Sequence, residues 1–198
     1  MKLNFIAKLF SKMPELETER LKLRAIKKSD VEDINEYASN PKTSEYLLWE
    51  KHKSIEYTKR FVDIVLAKYR LSEYHDWAIV LKENQKMIGT CGLTRIDEEN
   101  SIAEIGYVLN PSYWGNGYAT EAAKKMIDFA FNVIGVNRVE ARFLFGNEAS
   151  LNVMKKIGMK FEGYLREYQL VKGSYRTVGV SSILKREYLL QDKYGESE

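Results

Sequence analysis

Apolar positions along the chain change spacing in a regular order, and that order predicts its elements. Leu21–Ile26 reads as a strand. Val31, Ile34 and Tyr37 follow at helical spacing, with Ser29 and Asp30 placed as N-caps and Asn40-Pro41 as the stop. Ile55, Phe61, Ile64, Val65, Leu66 and Tyr69 mark a second helix behind Ser54. Trp77–Leu81 and Met87–Ile96 read as a hairpin across the polar turn Lys82–Lys86. After the turn Glu98-Glu99-Asn100, Ile102–Leu109 forms the next strand. A glycine-punctuated segment then leads into a helix marked by Ala122, Ala123, Met126, Ile127, Ala130, Val133 and Ile134. Arg138–Phe145 is strand-like. Asn147-Glu148-Ala149-Ser150 opens a helix through Leu151, Val153, Met154 and Ile157, with Gly158 as its C-cap. Lys160–Val171 and Thr177–Leu184 close the pattern as a hairpin across Lys172-Gly173-Ser174. Three strands in succession, then alternating helix and strand, predict an α+β fold with a mixed sheet.

Both ends lie outside this pattern. Leu3, Ile6, Phe10 and Met13 sit at helical spacing among Lys2, Lys8 and Lys12. Residues 1–13 are therefore expected to be an amphipathic extension, a short helix packing on the domain or on a second subunit. Lys8 breaks the apolar core that a signal peptide would need. The domain proper is expected over residues 14–190, with 191–198 a C-terminal tail, in a monomer or homodimer.

Length and composition narrow the picture. The 198 residues, 44% hydrophobic and 30% charged, suit one globular domain. A net charge of +3, from 31 basic and 28 acidic residues, is no polyanion-binding signature, so no nucleic-acid partner is expected. No run reaches the roughly 18 apolar residues of a membrane span. The single cysteine, Cys91, excludes an intrachain disulfide and fits a reducing, cytoplasmic location. It reads as a buried structural thiol. His52 and His75 lack metal-ligand spacing and read as surface residues, so no metal is expected.

The chemistry concentrates after Leu109. Pro111 stops the strand, and Gly115 and Gly117 remove side chains where the backbone must turn and approach something closely. The helix beyond offers free N–H groups and a positive dipole end. That pattern fits a phosphate or pyrophosphate guest; a tight turn without a ligand is the alternative.

Four segments in the right order, spanning residues 15 to 188, resemble the GNAT N-acetyltransferase superfamily, and within it the branch of the ribosomal-protein enzymes RimJ and RimL. They are Glu19-Arg20-Leu21-Lys22-Leu23-Arg24, Ala103-Glu104-Ile105-Gly106-Tyr107, Trp114 to Ala122, and Asn147-Glu148-Ala149-Ser150 through Lys156-Ile157-Gly158-Met159. The resemblance implies a mostly antiparallel mixed sheet with helices on both faces, and a splayed strand pair that takes acetyl-CoA as cosubstrate. It assigns the pyrophosphate to Trp114, Gly115, Asn116, Gly117, Tyr118, Ala119 and Thr120. The pantetheine falls to the strand edge at Tyr107, Val108 and Leu109, with Asn147 on its amide side. Trp114 stands where the superfamily often has Gln or Arg. Val153 and Met154 stand where many members carry a general-acid Tyr, so that role passes to Ser150 or water. A helix N-cap for Asn147 and a backbone-bonded hydroxyl for Ser150 are the structural alternatives.

Amine acetylation needs a neutral amine. Deprotonating a lysine, with a pKa near 10.4, costs about 3 kcal/mol more than deprotonating an α-amine near 8. A carboxylate at the cleft can accept that proton. Glu104, alternating with Ile105, is the first candidate and Glu140 the weaker one; a solvent-facing strand carboxylate is the plain alternative. Lys124, Lys125, Lys155 and Lys156 read as solvated or phosphate-facing. The acceptor pocket is expected from Tyr46–Ser54, Trp77 and Gln169–Tyr175, with Trp49 and Trp77 as core or pocket aromatics. Acetylation of a peptide N-terminal α-amine leads. Acetylation of a small amine and a non-catalytic acyl-CoA module are the alternatives.

Overall fold

The computed structural model describes residues 3–73 and 75–194. Eight strands form one sheet in the order β1-β2-β3-β4-β5-β6-β8-β7. They are β1 (Leu16–Glu17), β2 (Leu21–Arg24), β3 (Asp76–Leu81), β4 (Met87–Asp97), β5 (Ile102–Leu109), β6 (Arg138–Leu144), β7 (Lys160–Val171) and β8 (Ser174–Leu184). Every neighbouring pair is antiparallel except β5 and β6. The helices are α1 (Leu3–Phe10), α2 (Val31–Ala38), α3 (Pro41–Ser44), α4 (Ile55–Arg70), α5 (Tyr118–Phe129), α6 (Glu148–Lys156) and α7 (Lys185–Tyr194). The fold is α+β with a mixed, mostly antiparallel sheet.

Strand alternation sorts the core into two layers. Leu21, Leu23, Trp77, Ile79, Ala103 and Ile105 pack with Ala122, Ala123, Met126 and Ile127 of α5 and Leu151 and Met154 of α6. Phe10 of α1 joins this layer, with its ring centroid 5.9 Å from that of Trp77 and 6.3 Å from that of Phe129. Ala78, Val80 and Met87 face the other way, onto Ile34 and Tyr37 of α2 and Val62 and Val65 of α4. Because β3 is covered on both faces, it reads as a continuous apolar run rather than an alternating one.

The site is positioned by the way β5 and β6 part. They pair in parallel from Ile102↔Arg138 only to Ile105↔Ala141. Beyond that point β5 stays with β4 as far as the Gly89↔Leu109 pair, and β6 stays with β8 as far as Leu144↔Val178. The two strands splay from Gly106 onward. Across β4, the register steps from Leu93↔Ile105 to Arg95↔Glu104. Thr94 is the extra residue of a β-bulge, which re-aims the neighbouring side chains.

Several local expectations change. Asp30 does not cap α2: a helical turn already starts at Lys28, and the carboxylate is taken by the Lys27 N–H at 2.7 Å and by Arg24. Pro41 begins a helix instead of ending one. α2 stops at Ala38, Asn40 Oδ1 accepts the Lys42 N–H, and Pro41 takes the first helical position. The helix after the glycine segment gives way to a π-helical turn over Ala130–Ile134, closed by Gly135 at φ 80°. Of the expected tail 191–198, residues 195–198 lie outside the described residues, and 191–194 continue α7. Ser54 does cap α4, accepting the Tyr57 N–H at 3.3 Å.

Arg24 donates to both oxygens of Asp30, at 2.7 and 2.8 Å, and Asp30 is 3% exposed. Removing the carboxylate strands a shielded guanidinium. Asp30→Ala is expected to lower unfolding free energy by about 3 kcal/mol, whereas Arg24→Met with Asp30→Leu recovers much of the loss. Urea denaturation of the two variants beside the wild type measures both effects.

Candidate active site

The turn after β5 is held from three directions. Asn110 is buried. Its Oδ1 accepts the Ser112 N–H at 3.1 Å and its Nδ2 donates to Glu36 at 2.8 Å. The indole N–H of Trp114 donates back to the Leu109 carbonyl at 2.9 Å, so the turn folds over the strand end. Arg20 donates to the Asn116 carbonyl at 3.0 Å and to Glu121 at 2.7 Å, and lies 4.5 Å from the Tyr118 ring centroid. Burial raises the Glu121 carboxyl, but hydrogen bonds from Thr18 and Arg20 outweigh it and hold the group below its ordinary value. Gly115 and Gly117 stand at φ 81° and 79°, a region L side chains rarely adopt. Among the described residues, no hydrogen bond uses the N–H groups of Gly115 to Thr120; the first helical bond runs from Glu121 N–H to the Gly117 carbonyl. Six free donors on a turn that enters a helix are an arrangement that can hold an anion.

The splay opens into a cavity of about 500 Å³. Of the residues expected at the site, Glu104, Tyr107, Val108, Asn147 and Ser150 line it together. Leu109 is buried at the strand end, and Trp114 to Thr120 form the turn that continues from it. The far wall is aromatic, built from Tyr46, Trp49, Tyr57, Phe61 and Tyr168. Gln169 also lines it, so parts of the expected segments Tyr46–Ser54 and Gln169–Tyr175 meet here. Trp77 does not: it is fully buried in the α5 layer, with its indole N–H on the Pro14 carbonyl at 2.6 Å.

Glu104 lies on the α2–α4 side of β5, opposite Ala103 and Ile105. Its Oε1 accepts from the Thr94 hydroxyl at 3.3 Å, and its Oε2 is 3.4 Å from Arg142 Nε and 3.9 Å from Arg95 Nε. The bulge at Thr94 supplies the first contact. Glu140 is 8% exposed and already taken: Arg138 Nε donates to it at 2.8 Å, with Arg95 and Arg142 each at 3.5 Å. Arg142 also donates to the Tyr168 hydroxyl at 3.2 Å, which ties the carboxylates to the aromatic wall.

Asn147 caps α6, its Oδ1 accepting the Ser150 N–H at 3.1 Å. That cap fixes Ser150 at the cavity. The Tyr107 hydroxyl sits 3.0 Å from Ser150 Oγ and 3.1 Å from the Ser150 carbonyl. Burial pushes the Tyr107 phenol up to about 12, against the Ser150 hydrogen bond. The family resemblance gives Tyr107 only a backbone role, and α6 carries no tyrosine near Ser150. The hydroxyl arrives from β5 instead, across 43 residues. Period-two alternation placing Tyr107 on the α5–α6 side was the available signal.

His52 is the larger correction. It is 6% exposed and lines the cavity, covered by Trp49, Tyr57 and Phe61. Its polar neighbours Lys51 and Lys53 disguise this. His75 is half-buried against Phe10, ring centroids 4.2 Å apart. Cys91 is buried, and burial pushes its thiol well up, as suits a structural residue. Among the described residues, no cluster of His, Cys, Asp and Glu is arranged for a metal, and no helix is long and apolar enough to cross a membrane.

This geometry has counterparts. The acetyltransferase (GNAT) domain model matches residues 20–160. The uncharacterized N-acetyltransferase p20 of Bacillus licheniformis is 35% identical over 89% of this chain and 99% of its own. The putative ribosomal N-acetyltransferase YdaF of Bacillus subtilis is 28% identical, covering 86% and 94%. The spermidine N(1)-acetyltransferase of Escherichia coli is 25% identical, covering 87% and 90%. The crystal structure of a GNAT-family acetyltransferase from Bacillus anthracis superposes with a TM-score of 0.78 at 26% identity, covering 87% and 99%. The chain belongs to the GNAT acetyltransferase family, and it is an N-acetyltransferase.

Proposed function

We propose that this enzyme moves an acetyl group directly from acetyl-CoA to the α-amine of a peptide N-terminus, as in the RimJ/RimL branch. One observation carries the reading. A carboxylate, Glu104, and a hydroxyl pair, Ser150 with Tyr107, line one cavity at the point where β5 and β6 separate. Such a pair of opposite proton roles is what amide formation from a thioester requires.

The chain fits acetyl-CoA at two places. The free N–H groups of Gly115 to Thr120 suit a pyrophosphate, and the edge of β5 that β6 leaves beyond Ile105, with the Leu109 carbonyl already taken by Trp114, suits amides of an extended arm at Tyr107. When bound, acetyl-CoA supplies an activated thioester. Glu104 then takes the proton that the incoming ammonium must lose. Ser150 gives its proton to the departing sulfur, and the second proton that the nitrogen sheds as the amide forms replaces it by way of the Tyr107 hydroxyl, which stays protonated across the neutral range. The aromatic wall holds the acceptor's body and keeps water from the amine.

The α-amine is favoured over a lysine side chain by its cheaper deprotonation, about 3 kcal/mol at neutral pH. YdaF, at 28% identity, supports the ribosomal-protein type. The spermidine enzyme and the aromatic enclosure of the cavity support a small-amine acceptor as the second reading. Incubation with labelled acetyl-CoA and a mixture of free-N-terminal peptides, lysine side-chain peptides and polyamines separates them. Mass spectrometry is expected to find label on peptide α-amines; label confined to polyamines or lysine side chains overturns the leading reading.

Four single variants and one double variant probe the machinery. Gly117→Val forces a branched side chain onto φ 79° beside Arg20, which distorts the turn that carries the free N–H groups, and acetyl-CoA affinity by calorimetry is expected to fall by at least about tenfold, or 1.4 kcal/mol. Glu104→Gln is expected to lower kcat by about 10²- to 10⁴-fold with acetyl-CoA affinity nearly unchanged. Tyr107→Phe and Ser150→Ala each slow turnover. In the double variant the losses are expected to fall short of additive, because both residues serve one proton path.

A further inference from the structure

His52 sits on the loop between α3 and α4. Its N–H donates to the Ala38 carbonyl at 2.8 Å, which fixes the loop to the end of α2. Its ring is held by three aromatic neighbours, with centroids 5.5 Å away for Trp49, 4.9 Å for Tyr57 and 5.4 Å for Phe61. Packing of this kind leaves the imidazole one orientation.

The hydrogen bonds then fix where its proton lies. His52 Nδ1 is 2.9 Å from Thr58 Oγ1. The Thr58 hydroxyl has one proton and gives it to an oxygen that can only accept: Asn35 Oδ1 stands at 2.9 Å, and the Ser54 carbonyl at 3.4 Å. With Asn35 Oδ1 as the acceptor of the Thr58 proton, Thr58 accepts from His52, and the network assigns the ring proton to Nδ1. Burial lowers the imidazole's affinity for a second proton, which agrees with a neutral ring. Nε2 keeps a bare lone pair, and no hydrogen bond among the described residues occupies it. Among the described residues Nε2 is not one of the fully buried atoms left without a partner, so it is reachable from the cavity that His52 lines.

We infer that His52 reads the acceptor: its Nε2 accepts a hydrogen bond from an N–H or O–H on an acceptor body held between Trp49, Tyr57 and Phe61. The matching substrate is an amine whose body is flat or apolar and carries one further polar hydrogen. This rests on the reading of the cavity as the acceptor site. It assigns His52 to recognition, with proton removal left to Glu104. A site built to take such a bond rejects an analogue that lacks the donor, because the bound body displaces water from Nε2 and puts no donor in its place.

Two measurements on the full chain test this separately. The protein has two histidines, so His75→Gln leaves one imidazole for nitrogen-15 spectroscopy. The expected result is a proton on Nδ1 and a bare Nε2. Nε2 should shift on addition of a free-N-terminal peptide that starts with tyrosine, and not with the matched phenylalanine peptide. A proton on Nε2, or equal responses to both peptides, overturns the assignment. In kinetics, the wild type is expected to prefer the tyrosine peptide by about tenfold in kcat/KM, about one hydrogen bond. His52→Phe should abolish the preference, and His52→Gln, which restores an acceptor oxygen, should return it. An unchanged preference in a folded His52→Phe, checked by its melting curve, also overturns it. If neither peptide is acetylated while the Nε2 shift is seen, the peptide reading of the acceptor fails and the His52 assignment stands.

Discussion

A β-strand can satisfy its backbone through two neighbours, and β5 keeps its second neighbour for only four residue pairs. From Gly106 onward, β4 holds one edge of β5 while β6 has turned to β8. The freed edge needs partners, and the space it leaves needs contents. The candidate site is arranged around that separation. The glycine turn continues from the free strand, Ser150 is carried to the gap by the helix that follows β6, and α2 to α4 roof the remaining side.

Charge is distributed to match. Three arginines, Arg95, Arg138 and Arg142, stand among Glu104, Glu140 and Glu162 where β4 to β7 converge. Glu140 and Glu162 are consumed by Arg138, which holds the Glu162 carboxyl down at about 2 against a smaller cost of burial. Glu104 is left with longer contacts, 3.4 and 3.9 Å, and is the carboxylate of this group that reaches the cavity. The bulge at Thr94 is what separates their fates, since it brings Arg95 opposite Glu104 and gives that carboxylate a hydroxyl partner. At the other end, Arg20 and Glu121 brace the glycine turn from the start of β2, leaving its N–H groups facing outward.

Much of this was legible in the residues. The succession of strands and helices, the helix after the glycine segment and the helix opening at Asn147 follow from apolar period, glycine placement and side-chain capping, which are local. What escaped depended on distant packing. The run Glu50-Lys51-His52-Lys53 looks solvated, yet His52 is buried because Tyr57 and Phe61 come back over it from α4. Asp30 has the sequence of a cap, but Arg24 reaches it first with a bidentate pair. Tyr107 meets Ser150 only because the splay sets β5 against α6. Trp77 and Trp49 are alike in sequence; the first is sealed in the α5 layer and the second faces the cavity, a distinction made by which face of the sheet each reaches.

The central claim is that the separated edge of β5 and the turn after it form one continuous cradle for acetyl-CoA. Amide hydrogen exchange on the full chain, with and without acetyl-CoA, tests it most directly. The account predicts slowed exchange from Gly106 to Thr120, with β1, β2 and the α4 surface unchanged. Protection that leaves this stretch unaffected and appears elsewhere would contradict it.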